Sequence, residues 1–144
     1  MVAIAKKNQL GIWLIARHDE WNRADPRGVR PFNCDICRHD RSYRDMHGCD
    51  KPRSKPRKIG PFELSICPNR VLSDPDGFRD DVVTAFNDLE SGTIQGWPDG
   101  YSAALVEGVR YLKAQRIGAQ NDEMDRRQRE QEREAKRRSA GGRR

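Results

Sequence analysis

The sequence predicts a small, mainly α domain with an irregular middle, and three observations carry that prediction. Apolar residues recur at helical spacing between residues 78 and 112, a stretch from Pro26 to Pro68 holds all four cysteines and no sustained periodicity, and residues 120–138 combine good helix formers with paired charges. At 144 residues the chain has room for one core and a tail, and its 35% apolar content makes that core modest. The 35% of charged residues exceeds the usual ~25%, so part of the length is expected to stay solvated. The longest apolar run, Leu10 to Ala16, falls far short of the ~20 residues of a membrane span, and Arg17-His18-Asp19-Glu20 follows it where a signal peptide would carry small residues. The chain is therefore expected to be soluble and intracellular, neither secreted nor membrane-bound.

Taken in order, the first segment, residues 1–33, is an N-terminal helix or strand with a linker. Leu10, Trp13, Leu14 and Trp21 approach helical spacing, and Asp25-Pro26 provides a stop. A helix over Ala5 to Arg23 is favoured, with a buried strand at Ile12 to Ala16 as the rival, because Gly11 lowers helix propensity. The third segment, residues 71–118, reads as a helical hairpin. Ser73-Asp74-Pro75-Asp76-Gly77 offers caps, a first-turn proline and early acidic groups, after which Phe78, Val82, Phe86 and Leu89 form one stripe that Gly92 ends. The turn Gly96-Trp97-Pro98-Asp99-Gly100 follows, with Asp99 or Ser102 as the next cap and Leu105, Val109 and Leu112 as the facing stripe. Trp97 and Tyr101 then fall at the tip as lids over the hairpin or anchors for a partner, and the anchor is favoured.

The fourth segment, residues 119–144, is a charged helical or flexible tail. Five i,i+4 pairs have the acid on the N-terminal side: Asp122 with Arg126, Glu123 with Arg127, Asp125 with Arg129, Glu132 with Lys136 and Glu134 with Arg138. No apolar stripe anchors them, so the segment is read as a frayed solvated helix, with an arm that orders on a partner as the alternative, and Ser139 to Arg144 is expected to be flexible.

The second segment, residues 34–70, carries the chemistry. Cys34 and Cys37 form a C-x2-C pair, Cys49 follows after 11 residues and Cys67 after 17 more. Four sulfurs suit one tetrahedral zinc, and a structural metal would explain how a region poor in apolar residues folds. Arg38, Arg41, Arg44, Lys51 and Arg53 are expected to offset the charge of a four-thiolate centre and lower the thiol pKa values. Free thiols, two disulfides and an iron–sulfur cluster remain alternatives, and His39 or, nearer to Cys49, His47 stands as a substitute ligand. The full reading is thus a mainly α, irregular zinc-stabilised domain with a helical hairpin and a charged C-terminal helix.

Net charge is +6 and unevenly placed: residues 38–58 hold 8 basic and 3 acidic groups, whereas residues 59–121 hold 5 and 9. Within the basic stretch, Lys51, Arg53, Lys55, Arg57 and Lys58 share eight residues with Pro52 and Pro56, an extended strip able to meet phosphates or acidic protein surfaces. A solvated loop is the plainer reading of so short a cationic run. No G-x4-G-K-[ST], G-x-S-x-G or H-E-x-x-H motif is present, and the chain is expected not to be an enzyme.

With Cys67-Pro68, the acidic helix, the turn from Gly96 to Tyr101 and the closing Leu105 to Leu112 helix in that order, residues 34–115 resemble small cysteine-containing accessory proteins of tailed bacteriophages. Those proteins set a Cys-Pro step before a helical pair with a Gly/Pro-rich connecting turn, and are associated with tail or head assembly. Trp97, Asp99 and the long charged tail depart from that pattern, and only the cysteines correspond as functional residues. The resemblance implies a non-enzymatic virion, tail or head–tail component, located in the host cytoplasm or the virion. Its partners would be other phage structural or assembly proteins, with self-association within an assembly left open and nucleic acid bound at most weakly and without sequence preference. The alternative is a small zinc-containing nucleic-acid-binding regulator, disfavoured because no recognition helix or aromatic stacking platform is evident.

Overall fold

The computed structural model describes residues 6–141. The first helix, α1 (Lys6–Ala16), is the centre of the molecule. Its apolar run is not confined to one face, which is the pattern of a helix buried all round. Ile12 and Leu14 are wholly buried, and they part company: Ile12 enters a cluster with Val82, Ala85, Phe86, Val109 and Leu112, whereas Trp13 and Leu14 enter one with Trp21, Phe32, Ile59, Leu64 and Cys67. The helix was therefore the right alternative over the strand. Gly11 is explained by a close approach, since a Cβ there would stand 3.2 Å from Cδ of the buried Arg79 side chain. That guanidinium donates to the carbonyls of Val71 (3.2 Å) and Asp74 (3.1 Å), so it ties three parts of the chain together.

A short helix, α2 (His18–Trp21), turns the chain, and Trp21 is fixed by its indole N–H donating to Leu14 O at 2.9 Å. Between residues 26 and 68, where no periodicity is visible, the chain forms α3 (Cys34–His39), α4 (Arg41–His47) and an antiparallel pair, β1 (Arg57–Ile59) with β2 (Phe62–Leu64), in the register Ile59↔Phe62. Each short helix starts on a side-chain cap: Asn33 Oδ1 accepts from Asp35 N at 2.9 Å, and Asp40 Oδ1 accepts from Tyr43 N at 3.0 Å. At the strand turn Gly60 has φ +55° and lies against the Trp13 ring, which leaves no space for a side chain.

Next come α5 (Pro68–Ser73), α6 (Gly77–Glu90) and α7 (Ala103–Gly141). Of the capping side chains the sequence offers, Asp76 caps α6 and Ser102, not Asp99, caps α7, accepting from Arg79 N and Leu105 N at 3.2 Å each, and Pro75, expected in the first turn of α6, instead precedes its cap. The two stripes meet in the cluster around Val82 and Leu112. Their pairing corrects the expected hairpin. Phe78 and Val82, early in α6, face Gly108, whereas Phe86 lies under the Arg116 guanidinium (4.4 Å) and Glu90 reaches Lys113 Nζ (3.0 Å). The start of α6 meets residue 108 and its end meets residues 113–116, so the two helices run in the same direction, the connection over residues 91–102 is a return strap, and Trp97 sits on the strap instead of at a hairpin tip.

Residues 103–141 form one continuous helix, so the expected boundary between a 71–118 unit and a 119–144 tail does not exist in the backbone. Nor do residues 1–33 form a separate unit, because α1 is shared by both clusters. Ser139 to Gly141, expected to be flexible, are helical, and residues 142–144 lie outside the described residues, as do residues 1–5 with Ala5. No helix among the described residues is long and apolar enough to cross a membrane.

Candidate metal centre

The four cysteines come from three local devices that bring them to one side of the molecule. Cys34 opens α3 and Cys37 follows one turn later on the same helix. Cys49 is placed by the end of α4, where Gly48 adopts φ +72° and the chain closes with Gly48 N donating to Asp45 O (3.3 Å) and Cys49 N to Arg44 O (3.0 Å). Cys67 precedes Pro68 at the start of α5, and its N–H donates to Gly48 O at 3.3 Å, joining the second pair of cysteines through the backbone. A Cβ on residue 48 would stand 2.6 Å from Ser65 O, so only glycine fits this crossing.

All four cysteines line one open concavity of about 330 Å3, together with Arg38, Arg44, Asp50, Asn69, Arg70 and Ser73. The sulfurs of Cys37 and Cys49 are 3.4 Å apart. All four residues are free thiols, Cys34 exposed and Cys67 buried. As placed, no three His, Cys, Asp or Glu side chains among the described residues stand in a metal-holding arrangement.

The electrostatics differ from the expectation that nearby arginines lower the thiol pKa values. Burial pushes Cys37 up, pushes Cys49 up to about 11 and pushes Cys67 up; at Cys37 the hydrogen bond with Cys49 and the charge of Arg44 pull the other way without overcoming it, whereas the Cys37 sulfur adds to the rise at Cys49 and the Cys49 sulfur adds to it at Cys67. The arginines are engaged elsewhere. Arg38 is exposed beside Asp35 at 3.6 Å, Arg44 pairs with Asp50, and Arg70 donates to the carbonyls of Cys49 (2.9 Å) and Asp50 (3.1 Å). Lys51 and Arg41 are exposed, and Arg53 uses its backbone N–H on Ser65 O at 2.7 Å.

Neither histidine lines the concavity. His39 is exposed, and His47 is buried between the rings of Phe32 (5.1 Å) and Tyr43 (4.3 Å) with Arg57 Nη1 3.5 Å from its Nδ1. Burial and the charges of Arg57 and Arg53 push its pKa down. His47 is thus a packed core histidine in this structure. Asn69 was not singled out from the sequence, yet its side-chain amide donates to Cys34 Sγ at 3.2 Å and to Phe32 O at 3.1 Å. The signal available was its place directly after Cys67-Pro68, inside the first turn of α5.

The cationic strip divides. Lys51, Lys55 and Lys58 are exposed, whereas Arg53 and Arg57 are half-buried and the Arg57 guanidinium lies 5.4 Å from the Phe32 ring centroid. The five cations therefore do not form one outward row. Trp97 is 39% exposed and tilts against Tyr101 at 6.2 Å between ring centroids, while Tyr101 packs on the α6–α7 cluster. Compared with protein-family models, curated proteins and solved structures, the chain matches none.

Proposed function

We infer that this chain is a non-enzymatic structural or assembly protein of a tailed-phage particle, braced by a structural zinc at the cysteine concavity. The observation that carries the reading is the α7 arm. Its first turns are part of the core through Val109 and Leu112, and its root is held by Arg17 on Asp122 (2.7 Å) and Arg23 on Glu123 (2.8 Å). Beyond that root, residues 124–139 are exposed on every face, an extension of roughly 25 Å at 1.5 Å per residue. A helix that spends so much length outside its own core serves a neighbour better than an enclosed reaction. Four sulfur donors would also fill a tetrahedral metal, leaving no open position for chemistry. The resemblance of residues 34–115 to phage accessory proteins adds the particle as the setting, and Trp97 and Tyr101 supply an aromatic anchor on the strap.

The test is fractionation of infected cells carrying a tagged copy. Sedimentation with a head, tail or head–tail assembly is the expected result, and self-association of the purified chain would place copies beside one another there. The nucleic-acid alternative rests on Lys51, Lys55 and Lys58. If those three engage duplex phosphates, log K against log salt has a slope of about −3. Tight binding to one sequence at physiological salt would replace the assembly reading with the regulator.

A further inference from the structure

We propose that Cys34, Cys37, Cys49 and Cys67 bind one zinc-class divalent cation as a four-thiolate site, and that the Asn69 side chain is its positioning residue, holding Cys34 Sγ in place. This rests on the zinc brace of the functional reading and assigns its ligands. The first observation is that four cysteine residues from three separate chain segments line one open concavity, although as placed no three of them stand in a metal-holding arrangement, so metal binding has to draw the side chains together. The distance between Cys37 and Cys49 sulfurs is the second: bonds of about 2.3 Å to a tetrahedral zinc set sulfurs about 3.8 Å apart, and this pair already stands at 3.4 Å. Cys67 is tied to the Cys49 turn by the bond to Gly48 O, and Cys37 meets Cys49 through the sulfurs.

Cys34 is the remaining ligand and the exposed one. Its sulfur has a dedicated donor, because Asn69 Nδ2 lies 3.2 Å away and the same amide is braced by Phe32 O at 3.1 Å. An amide donor to a ligand sulfur is the usual device by which a protein orients a metal ligand and stabilises its charge. Thiolates and no carboxylate in the set select a soft or borderline cation over magnesium or calcium. Metal binding at the site expels the thiol protons to solvent and forms four metal–sulfur bonds, with no change in oxidation state.

The full chain, reduced and freed of metal, is titrated with Co2+ and then Zn2+. One Co2+ per chain with the intense visible bands of tetrahedral thiolate cobalt, displaced by one Zn2+, is expected. 113Cd NMR of the unsubstituted chain reads the donor set without any variant, and a four-sulfur shift is expected. A three-sulfur, one-nitrogen shift overturns the ligand set, as does loss of binding in His47→Ala with the fold retained. Asn69→Ala should weaken metal affinity ~10- to 100-fold while keeping one metal per chain, and unchanged affinity removes the positioning role. A folded chain with four titratable thiols and no metal binding, or a chain that purifies with iron–sulfur absorption, overturns the site. Metal binding is measured on the isolated chain, so a chain that binds zinc yet joins no particle overturns the assembly reading alone.

Discussion

Gly48 shapes the cysteine frame, because its positive φ turns α4 toward Cys49 and its missing side chain lets Ser65 O approach. Gly92 also has a positive φ, +74°, but a Cβ there meets nothing within 4 Å. Gly92→Ala is expected to cost only the left-handed backbone penalty, about 1 kcal/mol. Gly48→Ala adds a backbone clash and should cost about 2 kcal/mol more. Thermal or urea unfolding of the pair checks this, and equal losses would mean the crossing relaxes. Glu123 offers a second residue-scale test. Hydrogen bonds from Arg126 and Arg127 pull its carboxyl from the ordinary 4.5 down to about 2. A depressed carboxyl favours the fold when ionised, so its contribution is complete above pH 4.5 and is lost as pH falls through about 2. Melting curves of Glu123→Gln should therefore lack part of the acid sensitivity of the unsubstituted chain between those limits, a difference that high salt erases.

At the scale of elements, the α7 arm and the strap make separable predictions. Among the described residues, removal after Arg127 takes away exposed helix over 128–139 and should leave Tm nearly unchanged. Removing residues after Gln120 also deletes Asp122 and Glu123, the partners of Arg17 and Arg23, and should lower Tm by a small, measurable step because such pairs are partly solvated. Identical melting of the two truncations would show that the ion pairs at the root contribute nothing. Trp97→Ala removes a side chain that is 39% exposed, so folding should survive and any loss should appear as weaker assembly. A destabilised chain with unchanged assembly would make Trp97 a lid. Helix existence was legible in the sequence wherever a 3.6-residue stripe met a cap, as in Asp76 to Leu89 and Ser102 to Leu112. The direction of pairing was not, because the strap's path depends on Tyr101 packing on the cluster and no local pattern encodes that. Asn33 and Asp40 were cap signals for α3 and α4, and Gly60-Pro61 between Ile59 and Phe62 marked a strand turn. Their elements of three to seven residues are too short to show a period. The cysteine spacing predicts one shared site, and the four cysteines do line one concavity. Asn69 and the inward turn of Arg57 did not show, since both depend on contacts across the fold. Of the five charge pairs read along the tail, Glu123 with Arg127 forms at 3.0 Å, whereas Asp122 turns to Arg17 because α1 passes beside it.

For the whole molecule, the decisive feature is that neighbouring residues of α1 serve different clusters. Ile12 packs with α6 and α7, whereas Trp13 and Leu14 pack with the cysteine-bearing half, and Arg79 of α6 reaches back to the carbonyls of Val71 and Asp74. Separate unfolding of the cysteine region would have to leave α1 in place with half its buried side chains exposed, or remove it and expose the other cluster. Either route exposes several large apolar side chains, each worth roughly 1.5–3 kcal/mol when buried. The cysteine-bearing half and the helical pair should consequently melt together. Leu14→Ala, wholly buried beside the cysteine half, is expected to cost ~2–5 kcal/mol and to lower amide protection in α6 as well as in α5. Ile12→Ala, on the opposite cluster, should lower protection in α5 by a comparable amount. Hydrogen exchange resolved by segment measures both. If Leu14→Ala loosened only residues 34–73 and left α6 and α7 at full protection, α1 would be a spacer between two independent units, and a cysteine brace would have no means of stiffening the α7 arm.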